Sequence, residues 1–507
     1  MVRRGSGVRV PSSALHCRPI GRRGEIAAIA AITVLGGVLR FATLDVQGFW
    51  LDESVTVALV RMNLGSMLDA IPDSESTPPL YYLLAWLWTQ VFGSGEVGLR
   101  SLSAFFGTAV IPVAWAAGRE LSTRAAAIAL AALAATAPFL VWYSQEARAY
   151  ALLTLLAALS LWLVARLQNA PRGRDLALWA VTAALALATH YFALFLIAGE
   201  ALWLLVRHRP RRHAGVAVGA VGLAGAALLP LALSQEAAGF AGFIAEGSLA
   251  RRAALAAKEL ALGFDSVVEP VTAGAVVLLF AVGAVLALAR PDADERVRRG
   301  VRLAAGLGLF TVAVPVALAL AGTDYVLTRN LIIAWGPLAL VAATGLTGRP
   351  AGTAGRVATA AVVALALVTT VGVAVEPAWQ REDWREAAQR IGPPAERAIL
   401  VSEPVQARPL SLYRPRARPA DVAPHRLADV VVLARRGRDL DDYVPTAPSP
   451  QAIAALGLRV ADTGREPTYE HLRLVPAGGT SVNLTADQLQ TVRLAAERGP
   501  AAVLFER

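Results

Sequence analysis

Residues 124–166 read RAAAIALAALAATAPFLVWYSQEARAYALLTLLAALSLWLVAR, and this stretch decides the fold. Two apolar runs, near 124–142 and 149–166, approach the length at which a helix crosses about 30 Å of hydrocarbon. Arg124 begins the first run and Arg166 ends the second, and the polar residues Gln145, Glu146 and Arg148 lie between the runs. The order predicts two membrane-spanning helices whose connecting turn carries ionisable groups.

The same pattern extends over most of the chain. Hydrophobic residues make up 56% of the 507 and charged residues 17%, whereas an ordinary globular chain carries about 25% charged residues. The apolar runs predict a polytopic α-helical protein with about eleven spans. These lie near 26–44, 99–118, 124–142, 149–166, 175–189, 191–206, 214–233, 270–289, 302–321, 331–347 and 357–375. Residues 376–507 alternate short apolar runs such as AILVS, DVVVLA and AAVLFE with helical stretches, which predicts a small α/β domain.

Arginines set the expected orientation. The net charge is +10, and Lys258 is the sole lysine. Most arginines fall in a basic tail, 1–25, and in alternate loops along the chain, which places these segments in the cytoplasm. We therefore expect a multi-pass protein of the cell membrane with its C-terminal domain outside, and no nucleic-acid partner. Cys17 is the single cysteine, so no intrachain disulfide is possible.

Two outer loops, 45–98 and 234–269, follow from this topology. Residues 78–93 are apolar, but sixteen helical residues reach only about 24 Å, which is short of the hydrocarbon core. We predict a helix at the outer membrane interface, with a tilted span as the alternative. The second loop contains a predicted amphipathic helix, SLARRAALAAKELALGF.

Ionisable residues gather where the predicted spans end on the outer side. Such groups are costly at membrane depth, so they tend to be paired or functional. Four clusters come from separate parts of the chain: Asp52 and Glu53; Gln145, Glu146 and Arg148; His190 and Tyr191; Asp324, Tyr325 and Arg329.

Each cluster also has a purely structural explanation. The acidic pair after the first span could cap the following helix. Glu146 and Arg148 could form a local salt bridge, and His190 could be a loop residue without a partner. Arg329 could anchor to lipid phosphate. The appearance of all four clusters on one face favours a functional site.

These residue types suit transfer chemistry at a membrane surface. A carboxylate can act as general base toward a hydroxyl, arginine binds phosphate in a bidentate manner, and interfacial aromatics such as Tyr82 and Tyr325 can flank a lipid. ATP is not available outside the cytoplasm, so the substrate must carry its own leaving group. A polyprenyl-phosphate sugar meets that need. The alternative from another class is a transporter or flippase for a lipid-linked sugar.

Several motifs resemble the glycosyltransferase family 39 relatives of the multi-spanning GT-C class. This group includes the dolichyl-phosphate-mannose–protein mannosyltransferases and the lipid A aminoarabinose transferases. The resemblance covers about 45–165 most strongly. It is carried by the DE pair and by TPPLYYLLAWLWTQVFG, GLRSLSAFFGTAVIP, AAGRELSTR, YSQEARAYALLTLLAAL, THYFALF, TRNLIIAWGPLAL and EDWREAAQRI.

The resemblance implies roles for particular residues. Asp52 matches the proposed catalytic base, with Glu53 as its neighbour, and Glu146 falls where relatives carry a second outer acid. Arg329 lies where relatives place an arginine near the donor phosphate. This chain has Thr77 where the aminoarabinose transferases carry a lysine. The difference argues against an aminoarabinose donor.

The expected activity is transfer of one sugar from a polyprenyl phosphate to a hydroxyl of a lipid, glycan or protein acceptor, with inversion. Arg148 and Arg329, with Tyr82 and Tyr325, are the expected contacts of the donor phosphate and lipid. Glu146 and His190 would orient a substrate. A divalent metal ion is an option, with Asp52 and Glu146 as its ligands.

Overall fold

A computed structural model describes residues 21–239, 244, 247–289, 294–436, 445–494 and 500–507. The predicted tail 1–25 and Cys17 lie mostly outside these residues, and the first helix already begins at Arg22. The first part of the chain is helical. Its helices are α1 (Arg22–Phe41), α2 (Leu51–Val60), α3 (Leu64–Ser74), α4 (Leu80–Phe92), α5 (Glu96–Leu121), α6 (Arg124–Thr136), α7 (Pro138–Ser144), α8 (Tyr150–Asn169), α9 (Gly173–Thr189), α10 (Ala193–Arg207), α11 (Arg211–Ala227), α12 (Leu229–Ala237), α13 (Leu249–Leu262), α14 (Val271–Leu288), α15 (Glu295–Leu320), α16 (Trp335–Leu346) and α17 (Gly352–Val375), with a 3-10 helix at Thr328–Ala334 before α16.

The predicted multi-spanning membrane fold is confirmed. Among the described residues, 8 helices are long and apolar enough to cross a membrane, or 9 with the bent pair α6 and α7. Helices α9 and α10 coincide with two further predicted spans but have 17 and 15 residues, short of a full crossing. Together these elements account for the eleven apolar runs.

The bundle has a buried centre and a lipid-facing rim. In α8 and in the segment 328–346, 72% and 83% of the apolar window is buried, against 11% in the segment formed by α11 and α12. Because loops at the ends of central helices are surrounded by other helices, polar groups placed there are shielded from lipid.

The two predicted outer-loop helices are present. Helix α4 has 13 residues, so it reaches about 20 Å. It buries Tyr81 and Tyr82 and exposes Leu87 and Val91, as an interfacial helix does. Helix α13 lies within the predicted amphipathic stretch.

The C-terminal part contains a mixed sheet with helices. Its strands are β1 (Arg397–Val401), β2 (Arg418–Pro419), β3 (His425–Leu427), β4 (Asp429–Arg435), β5 (Leu458–Arg465), β6 (Tyr469–Pro476), β7 (Val482–Leu484) and β8 (Ala502–Glu506), and its helices are α18 (Trp384–Ile391), α19 (Ala407–Tyr413), α20 (Pro450–Ala455) and α21 (Ala486–Leu489). The main sheet has the order β2-β8-β1-β4-β6-β5, in which β1 and β4 are parallel. The three apolar runs expected to be strands are β1, β4 and β8.

Candidate active site

Four separate connections meet at the end of the helix bundle that contacts the C-terminal domain; we call this end the docked face. It is built from residues 42–53, 145–149, 190–192 and 324–329. Arg329 contacts Asp52, Arg148 donates to the Asp52 carbonyl at 3.3 Å, and the rings of His190 and Tyr150 are 5.5 Å apart. The four clusters that the sequence predicted are therefore neighbours in space.

Asp52 lies in the first turn of α2 and pairs with Arg329. Its Oδ2 atom accepts a hydrogen bond of 3.2 Å from an Arg329 terminal nitrogen. Both side chains are 24% exposed. The helix N-terminus favours a negative charge at this position. Asp52 is thus a carboxyl group that solvent or a substrate can reach.

Glu53, its neighbour, is fully buried. Its carboxylate accepts two hydrogen bonds from Arg100, at 2.7 and 2.5 Å, and one from the backbone N–H of Ala147 at 2.8 Å. Burial by itself would raise the pKa of Glu53, but the Arg100 guanidinium outweighs burial and the pKa is lowered. Glu53 therefore ties α2 to α5 and to the 145–149 connection.

Glu146 is also fully buried, and its partner is an arginine on the segment that leads into the C-terminal domain. Its Oε2 atom accepts a 2.5 Å hydrogen bond from Arg381, whose guanidinium lies over the rings of Trp50 and Trp142, 4.9 and 4.1 Å from their centroids. The pKa of Glu146 is raised to about 7, because burial, helped by the charge of Glu53, outweighs the lowering effect of Arg381. Glu146 can therefore change its charge near neutral pH.

Arg148, expected from the sequence at the donor phosphate, is already neutralised. It forms a bidentate pair with Glu75, at 2.5 and 2.8 Å, and lies 5.9 Å from the Tyr82 ring centroid. Tyr82 is buried and its hydroxyl is 2.8 Å from Thr77. Because both side chains are buried and already have partners, Arg148 and Tyr82 line the site as structural residues.

The docked face therefore contains five acid–arginine pairs with different access to solvent. In Asp324–Arg252 the two side chains are 15% and 13% exposed. In Glu53–Arg100, Glu75–Arg148 and Glu146–Arg381 no side chain is more than 8% exposed, whereas both members of Asp52–Arg329 are 24% exposed. The predicted local bridge between Glu146 and Arg148 is absent, because each has a different partner. Sequence reasoning did not assign Arg100, Glu75 or Arg381 to the site. Of these three, only Arg100 stood out in the sequence, because it lies at the start of a predicted span on the side of the membrane where few arginines are expected.

An aromatic wall stands beside the accessible pair. Tyr143 and Tyr150 have ring centroids 4.8 Å apart, and His190 packs against Tyr150 and Phe192. His190 is buried rather than a free loop residue. Burial, together with Arg148 and Arg329, lowers its pKa to about 3, so the imidazole is neutral at physiological pH. It can accept or donate a hydrogen bond but supplies no charge to a phosphate.

Tyr325 lies at the edge of the site. Its hydroxyl donates to Glu236 at 3.1 Å, and its ring packs edge-on against Phe192. The neighbouring Asp324 pairs with Arg252 from α13. These contacts join the second outer loop to the segment that carries Arg329.

The residues do not fit the metal site that the sequence offered as an option. Asp52 and Glu146 are each paired with an arginine. Within the ranges that the structure describes, no group of three or more His, Cys, Asp or Glu side chains could hold a metal ion.

Comparison with known proteins agrees with this architecture. Residues 76–234 match the family described as dolichyl-phosphate-mannose-protein mannosyltransferase. ArnT from Cupriavidus metallidurans in the apo state is similar in structure, with a TM-score of 0.55, 13% identity and coverage of 89% of this chain and 98% of that one. The same protein bound to undecaprenyl phosphate gives 0.54 and 14%, with the same coverage. No curated protein matches the sequence.

The family match covers the segment that holds Arg100, Glu146, Arg148 and His190, and the structural likeness covers most of the chain. Both agree with the resemblance predicted from the motifs, which is confirmed. Residues 76–234 thus resemble the mannosyltransferase family, and the chain as a whole has a multi-spanning membrane fold like that of ArnT.

Proposed function

We propose that the protein transfers a single sugar from a polyprenyl phosphate to an acceptor hydroxyl, with Asp52 as general base and Arg329 as the contact of the donor phosphate. One observation carries the proposal. Of the five acid–arginine pairs on the docked face, Asp52–Arg329 is the most exposed to solvent and to a substrate. The other four pairs hold the loops in place.

Donor binding would free the base. Asp52 takes one hydrogen bond from Arg329, and at 3.2 Å it is longer than the bonds in the buried pairs. Within the described residues, no other hydrogen bond from the Arg329 side chain is found. Its remaining donors can therefore bind a phosphate, for which the guanidinium geometry is well suited. As phosphate replaces Asp52 at the guanidinium, the carboxylate turns to the acceptor hydroxyl.

The transfer step itself needs no second acid. Asp52 accepts the hydroxyl proton while the acceptor oxygen bonds to the anomeric carbon, and the bond from that carbon to the phosphate oxygen breaks. The polyprenyl phosphate leaves with the electron pair, and Arg329 stabilises the charge that develops on it. A single displacement inverts the anomeric centre.

A path for the lipid chain supports a lipid-linked donor. An apolar groove of about 290 Å³ lies among α13, α14, α15 and α16, lined by residues that include Leu260, Phe280 and Trp335. Trp335 follows Arg329 by six residues, mostly of 3-10 helix, or about 12 Å. The groove is an alternative to the surface along 78–93 that the sequence suggested. ArnT, which has the same fold, binds undecaprenyl phosphate.

The expected setting is the outer face of the cell membrane. The arginine-rich connections alternate along the chain with those of the docked face, and this bias supports a cytoplasmic N-terminus. The acceptor is a hydroxyl of a lipid, glycan or protein. A flippase for a lipid-linked sugar, the alternative class, would need no accessible base beside its phosphate contact.

The test is turnover by the purified protein in detergent. Labelled polyprenyl-phosphate mannose, glucose and arabinose are offered separately with a mixed acceptor extract, and the anomeric configuration of the product is read by NMR. We expect one donor to be consumed with inversion, and Asp52→Asn to lower that rate by about 100-fold or more. Normal transfer by Asp52→Asn would refute the assignment. A retained configuration would refute the single displacement, and movement of donor across vesicles without any product would favour the flippase.

A further inference from the structure

We propose that Arg381, on the segment that leads into the C-terminal domain, is a positioning residue of the transfer site. Through it the C-terminal domain holds Glu146 and the approach to Asp52 in place, so that the domain completes the site. This inference rests on the proposed function, because it assigns Arg381 a role in presenting the same base.

The Arg381 side chain is built into the docked face. It is 8% exposed and donates to Glu146 at 2.5 Å. Its guanidinium carbon lies over the rings of both Trp50 and Trp142, and the negative face of an aromatic ring stabilises a cation at such distances. A residue that merely tethered the domain would not need a buried ion pair and two aromatic partners.

The backbone of Arg381 contacts the loop that leads to Asp52. Its N–H donates to the side chain of Gln47 at 3.1 Å, and the Trp50 ring that it covers belongs to the residue before α2. Arg381 therefore holds the segment 47–50 at both ends, through its backbone N–H at Gln47 and its guanidinium at Trp50. Since Asp52 follows two residues later, the position of its carboxylate depends on this segment.

Glu146 connects Arg381 to the 145–149 connection, which is bonded to Glu53. The Glu53 carboxylate bonds to the N–H of Ala147, so the two acidic segments are joined next to the Glu146–Arg381 pair. The Oε1 atom of Glu146 is buried and has no hydrogen-bond partner within the described residues. One oxygen is thus held by the domain, and the other remains available for a hydroxyl or a water molecule.

Nearby contacts dock the domain independently of Arg381. Arg385 donates to the carbonyls of Asp45 and Val46 at 2.7 and 3.1 Å. The Tyr413 hydroxyl donates to Glu96 at 2.8 Å and accepts from the Phe49 N–H at 2.6 Å. These residues do not contact Glu146. They allow docking and positioning to be separated by mutation.

The experiment compares Arg381→Gln, Arg381→Lys and Arg385→Gln in the full chain, by donor turnover and thermal unfolding in detergent. Arg390→Gln serves as the surface control, since Arg390 is 42% exposed and pairs with Glu386 and Glu466. We expect Arg381→Gln to lower kcat at least tenfold with little change in the donor KM. Arg381→Lys should retain more activity, because it keeps the charge, and Arg385→Gln should lose stability with a smaller loss of kcat.

The pH profile separates positioning from general loosening. The charged groups that interact with Glu146 are Arg381, Arg148, Arg329, Asp52 and Glu53, and the titratable tyrosines are Tyr81, Tyr143 and Tyr150. Removing Arg381 takes away the nearest cation, so the acid limb assigned to Glu146 should move to higher pH in Arg381→Gln, and the double variant with Glu146→Gln should lack it. No such shift is expected in Arg385→Gln.

Three results would overturn the inference: wild-type kcat in Arg381→Gln, loss of kcat equal in Arg381→Gln and Arg385→Gln at equal stability, or an unmoved pH limb. If Arg381→Gln does not fold, Glu146→Gln decides, because it breaks the same ion pair from the other side; wild-type kcat at pH 8 in that variant would overturn the inference. The proposed function is judged separately. Full activity in Asp52→Asn would end both claims, whereas an inactive Asp52→Asn with unaffected Arg381 variants would end this one alone.

Discussion

Asp52 and Glu53 are adjacent carboxylates with opposite surroundings. One residue of helix turns a side chain by about 100°, so Asp52 points to the accessible side of α2 and Glu53 into the bundle. The sequence identified the pair but could not separate the two roles, because the distinction depends on Arg100, which is 47 positions away. The exposed position of Asp52 supports its proposed role as base, and the buried contacts of Glu53 give that residue a structural role.

Glu53→Gln tests that structural role. The change leaves the buried Arg100 guanidinium without its counter-charge, which we expect to cost about 3–5 kcal/mol of unfolding free energy. The melting temperature in detergent measures the loss. Glu295→Gln is the control, since the exposed Glu295–Arg298 pair should contribute about 1 kcal/mol or less. Equal melting of Glu53→Gln and wild type would contradict the assignment.

Glu146 gives the expected pH dependence. Burial raises its pKa to about 7, so the carboxylate that holds Arg381 is ionised above this pH and protonated below it. Because the paired, ionised form positions the site, kcat/KM should fall as pH drops through about 7. Glu146→Gln mimics the protonated form and should be less active at pH 8 and lack this limb. A wild-type limb in Glu146→Gln would show that another group titrates.

At the scale of elements, the bent pair α6 and α7 delivers the Glu146–Arg148 connection to the site. The bend is 53° and follows from Pro138, which lacks an N–H and interrupts the helix ladder. Arg40 from α1 donates to the freed carbonyls of Ala134 and Ala135, and to Ser144. The proline was visible in the sequence, but a buried arginine that satisfies the break was not, since its partners lie about 100 positions away.

The crossing of α14 and α16 depends on glycine. A Cβ at Gly345 would lie 1.8 Å from the Gly283 carbonyl oxygen, so a side chain there forces the helices apart. Small residues allow such close approach between membrane helices. We expect Gly345→Ala to lower the melting temperature by several degrees, and Gly336→Ala, in the same helix with open space at its Cβ, to have little effect. Similar melting of the two variants would contradict this packing.

At the scale of the whole molecule, composition predicts more of the fold than of the site. The lengths of the apolar runs located the spans, and the placement of arginines predicted which side of the membrane each loop faces. Strands β1, β4 and β8 were predictable because they are continuous buried apolar runs. The hairpin β5–β6 was missed because β5 is an edge strand with mostly exposed, polar residues. Partners such as Asp52 and Arg329, 277 positions apart, come together only through the fold.

Cysteine labelling tests the proposed orientation. In a Cys17→Ser background, Val422→Cys lies in the C-terminal domain at a site that is 95% exposed. Gly173→Cys lies at the opposite end of the bundle, with open space around its Cβ. On intact cells, a membrane-impermeant maleimide should label Val422→Cys, and Gly173→Cys only after permeabilisation. The reverse pattern would place the docked face in the cytoplasm and remove the proposed setting.

The central claim is that the donor phosphate replaces Asp52 as the partner of Arg329. Measuring donor binding and transfer in the same variants tests it most directly. Radiolabelled polyprenyl phosphate is titrated against the wild type, Asp52→Asn and Arg329→Gln, and transfer is assayed in parallel with the active donor. In the proposed exchange Asp52 competes with phosphate for Arg329, so Asp52→Asn should bind at least as tightly as the wild type while transfer falls about 100-fold or more. Arg329→Gln should lose binding. Wild-type transfer by Asp52→Asn, or unchanged binding by Arg329→Gln, would contradict the account.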